Sequence, residues 1–380
     1  MKKRILFITR NFPPLVGGME RLNFHAFEAL SDRYEMMLLG PKGCGDYVQD
    51  APVTGISTDS SLQYVMRCCF KAYRLSHQWR PDLIVAGSGV AALPARVAAR
   101  RTGAATITLV HGLDIIYPSK LYQVGFVPAI RNSDTVVANS ANTANLTVSA
   151  GVPQNCIEIL HPGVTLPTQC SAVQPPQLGF DLAGKKILLS VGRLIRRKGL
   201  PAFIQFALPK IVDKDPDVLF LVIGTASEST ALKKEGIEAE LQQAVVDAGM
   251  QQHVKLLGRV SDETLGQLFS IASLHLFPVL DLPGDVEGFG MVAIEAAAHG
   301  VPTIAFAAGG VPDAVKDKVT GYLVERGSYD AFAQAVLHGL NMLGKELCSE
   351  RCIEFAEQFS WDKYGQRLCA ICEQTLSDHS

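Results

Sequence analysis

The sequence predicts an α/β protein made of two Rossmann-like halves, each a parallel sheet with helices on both faces. Two observations carry this prediction. Short apolar runs alternate with helix-like segments twice along the chain, the pattern of parallel βαβ units. Between the two series, Thr165 to Gly184 breaks the pattern with Pro167, Pro175-Pro176 and polar filler, which reads as a linker. The 380 residues also suit two domains of ordinary size, at roughly 150 residues each.

The first series opens with a buried-type strand at Lys3–Thr9, a glycine-bearing loop and a helix over Glu20–Leu30. Strand-like runs follow at Tyr34–Leu39, Leu83–Ala86, Thr106–Val110 and Thr135–Ala138. The second series runs through Ile187–Val191, Leu219–Ile223, Val254–Leu257, Leu274–Phe277 and Thr303–Phe306, with a last short strand at Gly321–Val324. Trp361–Leu376 reads as a terminal helix. The expected division is residues 1–167 with 361–380, a linker at 168–184, and a second domain at 185–360. Two such halves facing one another leave a deep cleft.

Composition excludes several classes. With 48% hydrophobic and 19% charged residues, the chain is globular rather than disordered or fibrous. No apolar run approaches the ~20 residues that span a bilayer. Ile5–Ile8 is too short for a secretory h-region and Arg10 closes it, so a cytoplasmic location is expected. Nine cysteines suit that setting as reduced, small hydrophobes. Cys348-x3-Cys352 and Cys369-x2-Cys372 come near a zinc spacing, but their helix-like surroundings lack knuckle turns, and buried helix-face thiols are the default. Neither half carries a Gly-x-Gly-x-x-Gly dinucleotide fingerprint, and a Walker A lysine is absent.

Charge is unevenly placed. Residues 1–167 hold 16 Lys/Arg against 11 Asp/Glu, whereas the remainder holds 19 against 26. Within the basic part, Arg67, Lys71 and Arg74 recur at helical spacing on Leu62–Arg80, alongside Val65, Phe70, Tyr73 and Leu75. Arg96, Arg100 and Arg101 form a second cluster. Such a face suits either an anionic membrane surface or plain solvent. Nucleic acid is not an expected partner, because the net charge is slight and no binding motif is present.

Two segments concentrate the chemistry. In Glu287-Gly-Phe-Gly-Met-Val-Ala-Ile-Glu295, carboxylates bracket a turn in which Gly288 and Gly290 allow close backbone approach. The helix expected from Met291 to Ala298 offers its free first amides, near Phe289, Gly290 and Met291, to an anion. Glu295, inside that helix, can accept hydrogen bonds from a pair of hydroxyls. Amides for an anion and carboxylates for hydroxyls suit a sugar nucleotide. In the second segment, the apolar run at 187–191 leads through Gly192 to Arg193 and Lys198, at the strand end where open α/β sheets bind ligands. Arg supplies a planar fork for phosphate and Lys a point charge.

With these residues in view, Arg-x4-Lys followed by Glu-x7-Glu resembles the retaining glycosyltransferases of family 4, which have the GT-B fold. The likeness runs through Phe12-Pro-Pro-x-x-Gly17-Gly18, His111-Gly112, Asn139-Ser140, His161-Pro-Gly163-Val164, Gly258-Arg259-Val260, Gly300-Val-Pro302, Gly309-Gly310-Val311-Pro312 and Gly321-x-Leu-Val324. Asp285-Val-Glu-Gly-Phe-Gly is further similar to the GDP-mannose-using, phosphatidylinositol-mannoside-type branch.

The resemblance implies transfer of a hexose from a nucleotide sugar with anomeric retention, and a terminal helix that crosses back to the first domain. It implies that Arg193 and Lys198 stabilise the leaving diphosphate, that Glu287 contacts the transferred sugar, and that Glu295 holds the ribose. Arg259 and Val260 are expected against the base. Gly224 begins a further ligand-facing turn, although Thr225-Ala226 departs from the second glycine usual there. Gly17 and Gly18 are expected under the phosphates, His111 on sugar hydroxyls, and Asp114 is a further sugar or acceptor contact. His161 is expected to be a turn residue. No cofactor or metal is implied. The leading donor is GDP-mannose, with UDP-glucose or UDP-N-acetylglucosamine as alternatives. The expected acceptor is a glycolipid or polysaccharide precursor, reached at the inner face of the cell membrane. A small soluble acceptor, or a non-catalytic nucleotide-sugar-binding role, remains open.

Overall fold

The structure is a computed structural model that describes residues 2–167, 176, 178–226 and 236–379. The chain forms two compact units, one of residues 1–163 with 361–380 and one of residues 164–360. Most of the expected linker, 168–175 and 177, lies outside the described residues. Of the rest, Leu178, Phe180 and Leu182 pack against the core of the second unit.

The first unit contains β1 (Arg4–Ile8), α1 (Gly18–Ser31), β2 (Glu35–Pro41), β3 (Val53–Ile56), α2 (Ser61–Trp79), β4 (Leu83–Ala86) and α3 (Gly89–Thr102). It continues with β5 (Ala105–Val110), α4 (Leu113–Ile116), α5 (Lys120–Gly125), α6 (Val127–Arg131), β6 (Thr135–Ala138), α7 (Ala141–Ser149) and β7 (Ile157–Ile159). The seven strands are parallel in the order β3-β2-β1-β4-β5-β6-β7. β1, β4 and β5 are almost wholly buried, which is why they read as unbroken apolar runs. β3 and β7 escape a sequence reading because they are short, half-exposed edge strands, β3 with a glycine inside it.

Helices on both faces close separate cores. Phe7, Phe12 and Phe27 interlock edge to face on one side, with centroids 5.9–6.0 Å apart. On the other side, Tyr64, Cys68 and Ala72 of α2 cover the sheet. The terminal helix, Trp361–His379, belongs to this unit and lays Tyr364, Leu368, Cys369 and Cys372 into the first of these cores. Trp361 stacks on His25 at 4.1 Å, and a Cβ on Gly163 would stand 2.2 Å from its ring.

The second unit begins with β8 (Lys186–Val191), α8 (Leu200–Phe206), α9 (Leu208–Lys214), β9 (Val218–Ile223), α10 (Ile237–Asp247), β10 (Val254–Gly258) and α11 (Asp262–Ile271). It continues through β11 (Leu274–Phe277), α12 (Met291–Ala298), β12 (Thr303–Phe306), α13 (Val311–Ala314), β13 (Gly321–Val324), α14 (Tyr329–Met342) and α15 (Ser349–Ala356), and the terminal helix is therefore α16. Its six strands are parallel in the order β10-β9-β8-β11-β12-β13. In both sheets the winding direction reverses once, between β1 and β4 and between β8 and β11. The carboxyl ends of those strand pairs are where such sheets bind ligands.

The near-zinc cysteine pairs are divided between the units. Cys352 lies in the core of the second and Cys369 and Cys372 in a core of the first. Burial raises all three thiols, that of Cys352 to about 12, so they behave as apolar filling.

Candidate active site

In the second unit, both strand ends at the reversal point carry charge. β8 leads through Gly192 to Arg193, which is exposed, and then to a tight turn at Arg196–Lys198. β11 leads to the loop containing Asp285 and Glu287. Across the reversal, Lys198 Nζ donates to Glu287 Oε2 at 2.9 Å. Arg197 Nη1 donates to the same oxygen, and Arg197 Nε donates to Asp285 Oδ1 at 2.9 Å. Lys198 also sits 4.4 Å above the Phe277 ring at the end of β11.

These charges are about nine-tenths buried at Arg197, Lys198 and Glu287, and they set each other's protonation. Burial pushes the Glu287 carboxyl up, but the charges and hydrogen bonds of Lys198 and Arg197 outweigh it and hold it below its ordinary 4.5. Burial pulls the Lys198 ammonium down, and the attraction of Glu287 only partly offsets this against the repulsion of Arg197 and Arg193. Together Arg193, Arg197 and Lys198 face two carboxylates, a surplus of positive charge suited to phosphate.

Arg197 was not legible as a site residue. Its neighbour Arg196 points outward and pairs with Glu240 at 3.5 Å, so the run Arg196–Lys198 holds one surface cation and two buried ones. Only the partners, some ninety residues away in sequence, distinguish them. His275 was also missed. It is fully buried on β11, near enough to Lys198 to feel its charge. Burial first, and then Lys198, bring its ring down to about 3, so it stays neutral.

The turn after Glu287 has the expected shape. Gly288 and Phe289 bend, Gly290 takes φ 95°, and α12 starts at Met291 with no side-chain cap. A Cβ on Gly290 would lie 2.9 Å from the Phe277 ring, so glycine is needed for space as well as for its dihedral. Phe289 itself is buried, which leaves only its backbone for a ligand. Glu295 is half-buried one turn into α12. The Glu287 carbonyl accepts from the Gly310 amide at 2.8 Å, so the Gly309-Gly310 turn after β12 fixes the loop.

Gly224, after β9, approaches the Gly192 backbone so closely that a Cβ would fall 1.8 Å from its carbonyl oxygen. The Gly224 amide donates to the Gly258 carbonyl at 2.8 Å, which brings the exposed Arg259 and half-buried Val260 to the same sheet edge. Asp215-Pro-Asp217 has the Asp-x-Asp spacing of a metal site but lies at the opposite edge. There Asp215 pairs with Lys186 at 2.6 Å and Asp217 with Lys185 at 3.4 Å.

In the first unit, Gly17 and Gly18 follow β1 and open α1. The Glu20 carboxylate folds over them, with Oε2 only 2.3 Å from where a Gly17 Cβ would stand, so an arriving anion meets a like charge there. His111 follows β5 and its Nε2 lies 3.2 Å from the Gly87 carbonyl. Asp114 accepts from the backbone amides of His111, at 3.0 Å, and of Gly89. It therefore ties the loops after β4 and β5 together. Burial raises its carboxyl, and the nearby His111 with these two amides moderates the rise. Ser88 Oγ, the Tyr122 hydroxyl and Asn139 Oδ1 are buried at this sheet edge without a protein partner among the described residues. Such atoms call for water or a hydroxylated ligand.

A family model described as "Glycosyltransferase Family 4" matches residues 16–166, and one described as "Glycosyl transferases group 1" matches residues 179–358. The chain belongs to glycosyltransferase family 4. The chain is 26% identical to a GDP-mannose-dependent alpha-(1-6)-phosphatidylinositol monomannoside mannosyltransferase of Mycolicibacterium smegmatis, over 87% of this chain and 88% of that one. It is 29% identical to a D-inositol 3-phosphate glycosyltransferase of Streptomyces griseus, over 67% of this chain but only 57% of that one. The chain thus spans little more than half the length of that relative. Among solved structures, Anabaena Alr3699/HepE in complex with UDP superposes with a TM-score of 0.77 at 20% identity, covering 98% of this chain and 100% of that one. The apo lipopolysaccharide outer core galactosyltransferase WaaB gives 0.73 at 19%, covering 98% and 99%. These likenesses establish the GT-B fold for this chain.

Proposed function

We propose that this glycosyltransferase moves a hexose from a nucleotide sugar to a lipid-linked or glycan acceptor with retention at the anomeric carbon, and that mannose from GDP-mannose is the leading donor. The observation that carries the reading is the buried Arg197–Glu287–Lys198 cluster at the reversal point of the second sheet, beside the uncapped amino end of α12. In this reading the bond between the anomeric carbon and the phosphate oxygen breaks while the bond to the acceptor oxygen forms on the same face. The acceptor proton passes to the departing phosphate oxygen. Arg193, Lys198 and the amides at Phe289–Met291 stabilise the developing diphosphate charge, and fixed donors of this kind contribute about 3–4 kcal/mol each in favourable sites. No metal is needed, because the cations perform its task.

In the same reading, Glu287 orients the sugar and Glu295 the ribose, Gly224, Arg259 and Val260 adjoin the base, and His111 contacts a substrate hydroxyl. The mannosyltransferase relative, aligned over 88% of its length, favours GDP-mannose and a lipid acceptor. A UDP-sugar is the second reading, favoured by the UDP-glucose complex of Anabaena Alr3699/HepE. Peripheral attachment to an anionic membrane is drawn from α2, where Arg67, Lys71 and Arg74 are exposed beside Leu62, Met66 and Phe70, each about two-thirds exposed. Val65 and Leu75, expected on that face, instead pack inward.

A metal-free thermal-shift panel of GDP-mannose, GDP, UDP-glucose, UDP-N-acetylglucosamine and UDP tests the donor. A ligand at 100 times its Kd stabilises by about 2.7 kcal/mol. A shift with one nucleotide series, lost in Glu295→Ala, supports the site and identifies the base. No shift with any of them overturns the assignment.

A further inference from the structure

The first unit leaves an apolar groove open at the corner made by α4 and α5. It is a shallow depression of about 390 Å³ lined by Ile116, Tyr117, Pro118, Gln123 and Val124, with Lys120 beside them. Leu121 and Val124 are 76% and 77% exposed, while Leu113 and Tyr117 add a further exposed apolar edge. Exposed apolar side chains grouped this densely usually mark a binding surface.

The groove is built rather than collapsed. Gln123 Nε2 donates to the carbonyls of Ile115 at 2.9 Å and Tyr117 at 3.0 Å, which holds the 115–118 turn against α5. Ser119 caps α5 at the Tyr122 amide, and the Tyr122 ring stacks on Phe126 at 4.9 Å. Charge narrows the choice of occupant. Of the described residues that line the groove, Lys120 alone is charged and none is acidic. A second copy docking about a two-fold axis at the groove would bring a like charge, its own Lys120, to this face. An anionic ligand with an apolar tail matches both properties. The groove also begins five residues beyond His111 in the chain, and Ser88, Tyr122 and Asn139 hold buried polar atoms without a protein partner among the described residues.

We propose that this groove takes the hydrocarbon chain of a phosphate-bearing lipid acceptor, with Lys120 meeting the phosphate. The inference deepens the transferase reading above and rests on it for the word acceptor. The polar sugar or polyol head then lies at the His111 edge, and the tail, rather than the head alone, sets acceptor affinity.

The test uses hexyl, octyl and decyl phosphate below their aggregation limits, with inorganic phosphate as reference, titrated calorimetrically into the whole protein. Each methylene removed from water tightens binding by about fourfold, the equivalent of ~0.8 kcal/mol. We expect that rise in the wild type, its loss in Leu121→Asp/Val124→Asp, and an equal weakening of all chain lengths in Lys120→Glu. These side chains are exposed, and an unchanged melting temperature and circular dichroism spectrum show that each variant is folded. Chain-length dependence that is absent, or that persists in the double variant, overturns the proposal. So does binding to phosphatidylglycerol–phosphatidylcholine vesicles without binding of monomeric alkyl phosphates, which transfers the patch to bilayer docking. If nucleotides fail to bind the wild type while alkyl phosphates bind, the transferase reading falls and the groove stands.

Discussion

Lys198 and Glu287 stand 2.9 Å apart in the segments that follow the two strands flanking the reversal of the second sheet. The lysine that should receive a diphosphate is therefore already engaged by a carboxylate. Arg197 donates to the same oxygen, so Glu287 keeps a cation when Lys198 turns to phosphate. Binding can exchange one ion pair for another without leaving a buried charge alone, the costly outcome in such a site.

Lys198→Ala should lower kcat by about 10²–10³, the usual effect of removing one fixed donor, and weaken diphosphate binding with it. Glu295→Ala should instead weaken nucleotide binding by roughly 10- to 100-fold, the worth of 1.5–3 kcal/mol for a hydrogen bond to a charged group. Initial rates and calorimetry separate the two. Wild-type values in both variants would place the site elsewhere.

Arg197→Met should destabilise the second unit by about 3 kcal/mol, because Asp285 loses its partner and Glu287 keeps only Lys198. Thermal melting followed by calorimetry reads this directly. Arg197→Lys should recover only part of the loss, since an ammonium lacks the fork that reaches both carboxylates.

Acid stability should follow Glu287. Its folded pKa lies below 4.5, so its contribution is complete above that pH and disappears as pH falls through the lower folded value. Asp114 has the opposite sign. Its carboxyl is raised above 3.8, so its contribution is complete below that pH and is lost as pH rises through the raised value. Between pH 6 and 3, the melting temperature of Glu287→Gln should fall less steeply than that of the wild type. Asp114→Asn should make the fall steeper.

Gly163→Ala should cost the first unit about 1–3 kcal/mol, because the added methyl would stand 2.2 Å from the Trp361 ring and force an overpacked contact. Adding Trp361→Leu should recover part of that cost in a double-mutant cycle. Independent, additive effects would show that the ring does not hold the glycine in place.

The fold was legible where burial on both faces made strands read as unbroken apolar runs, as at β4, β11 and β12, and illegible at the edge strands β3 and β7. Arg193 and Lys198 stood out because they follow a strand and a glycine. Arg197 did not, because burial within a basic run depends on carboxylates far away in sequence. On α2, the period of the cations was readable but the phase was not. Which apolar residues turn outward depends on how Tyr64, Cys68 and Ala72 seat on the sheet.

The position of α16 has a consequence for the order of biosynthesis. The helix that completes a core of the first unit emerges from the ribosome only after the whole of the second unit, residues 164–360, has been made. At about 5–20 residues per second, that is a wait of roughly 10–40 s. Throughout it, the surface of α1 and β5 destined for Tyr364, Leu368 and Cys372 stays open to chaperones or to neighbouring nascent chains. The second unit, though translated later, is the first that can reach its finished form, and released chains truncated after residue 360 should show it protease-resistant while the first is still cleaved.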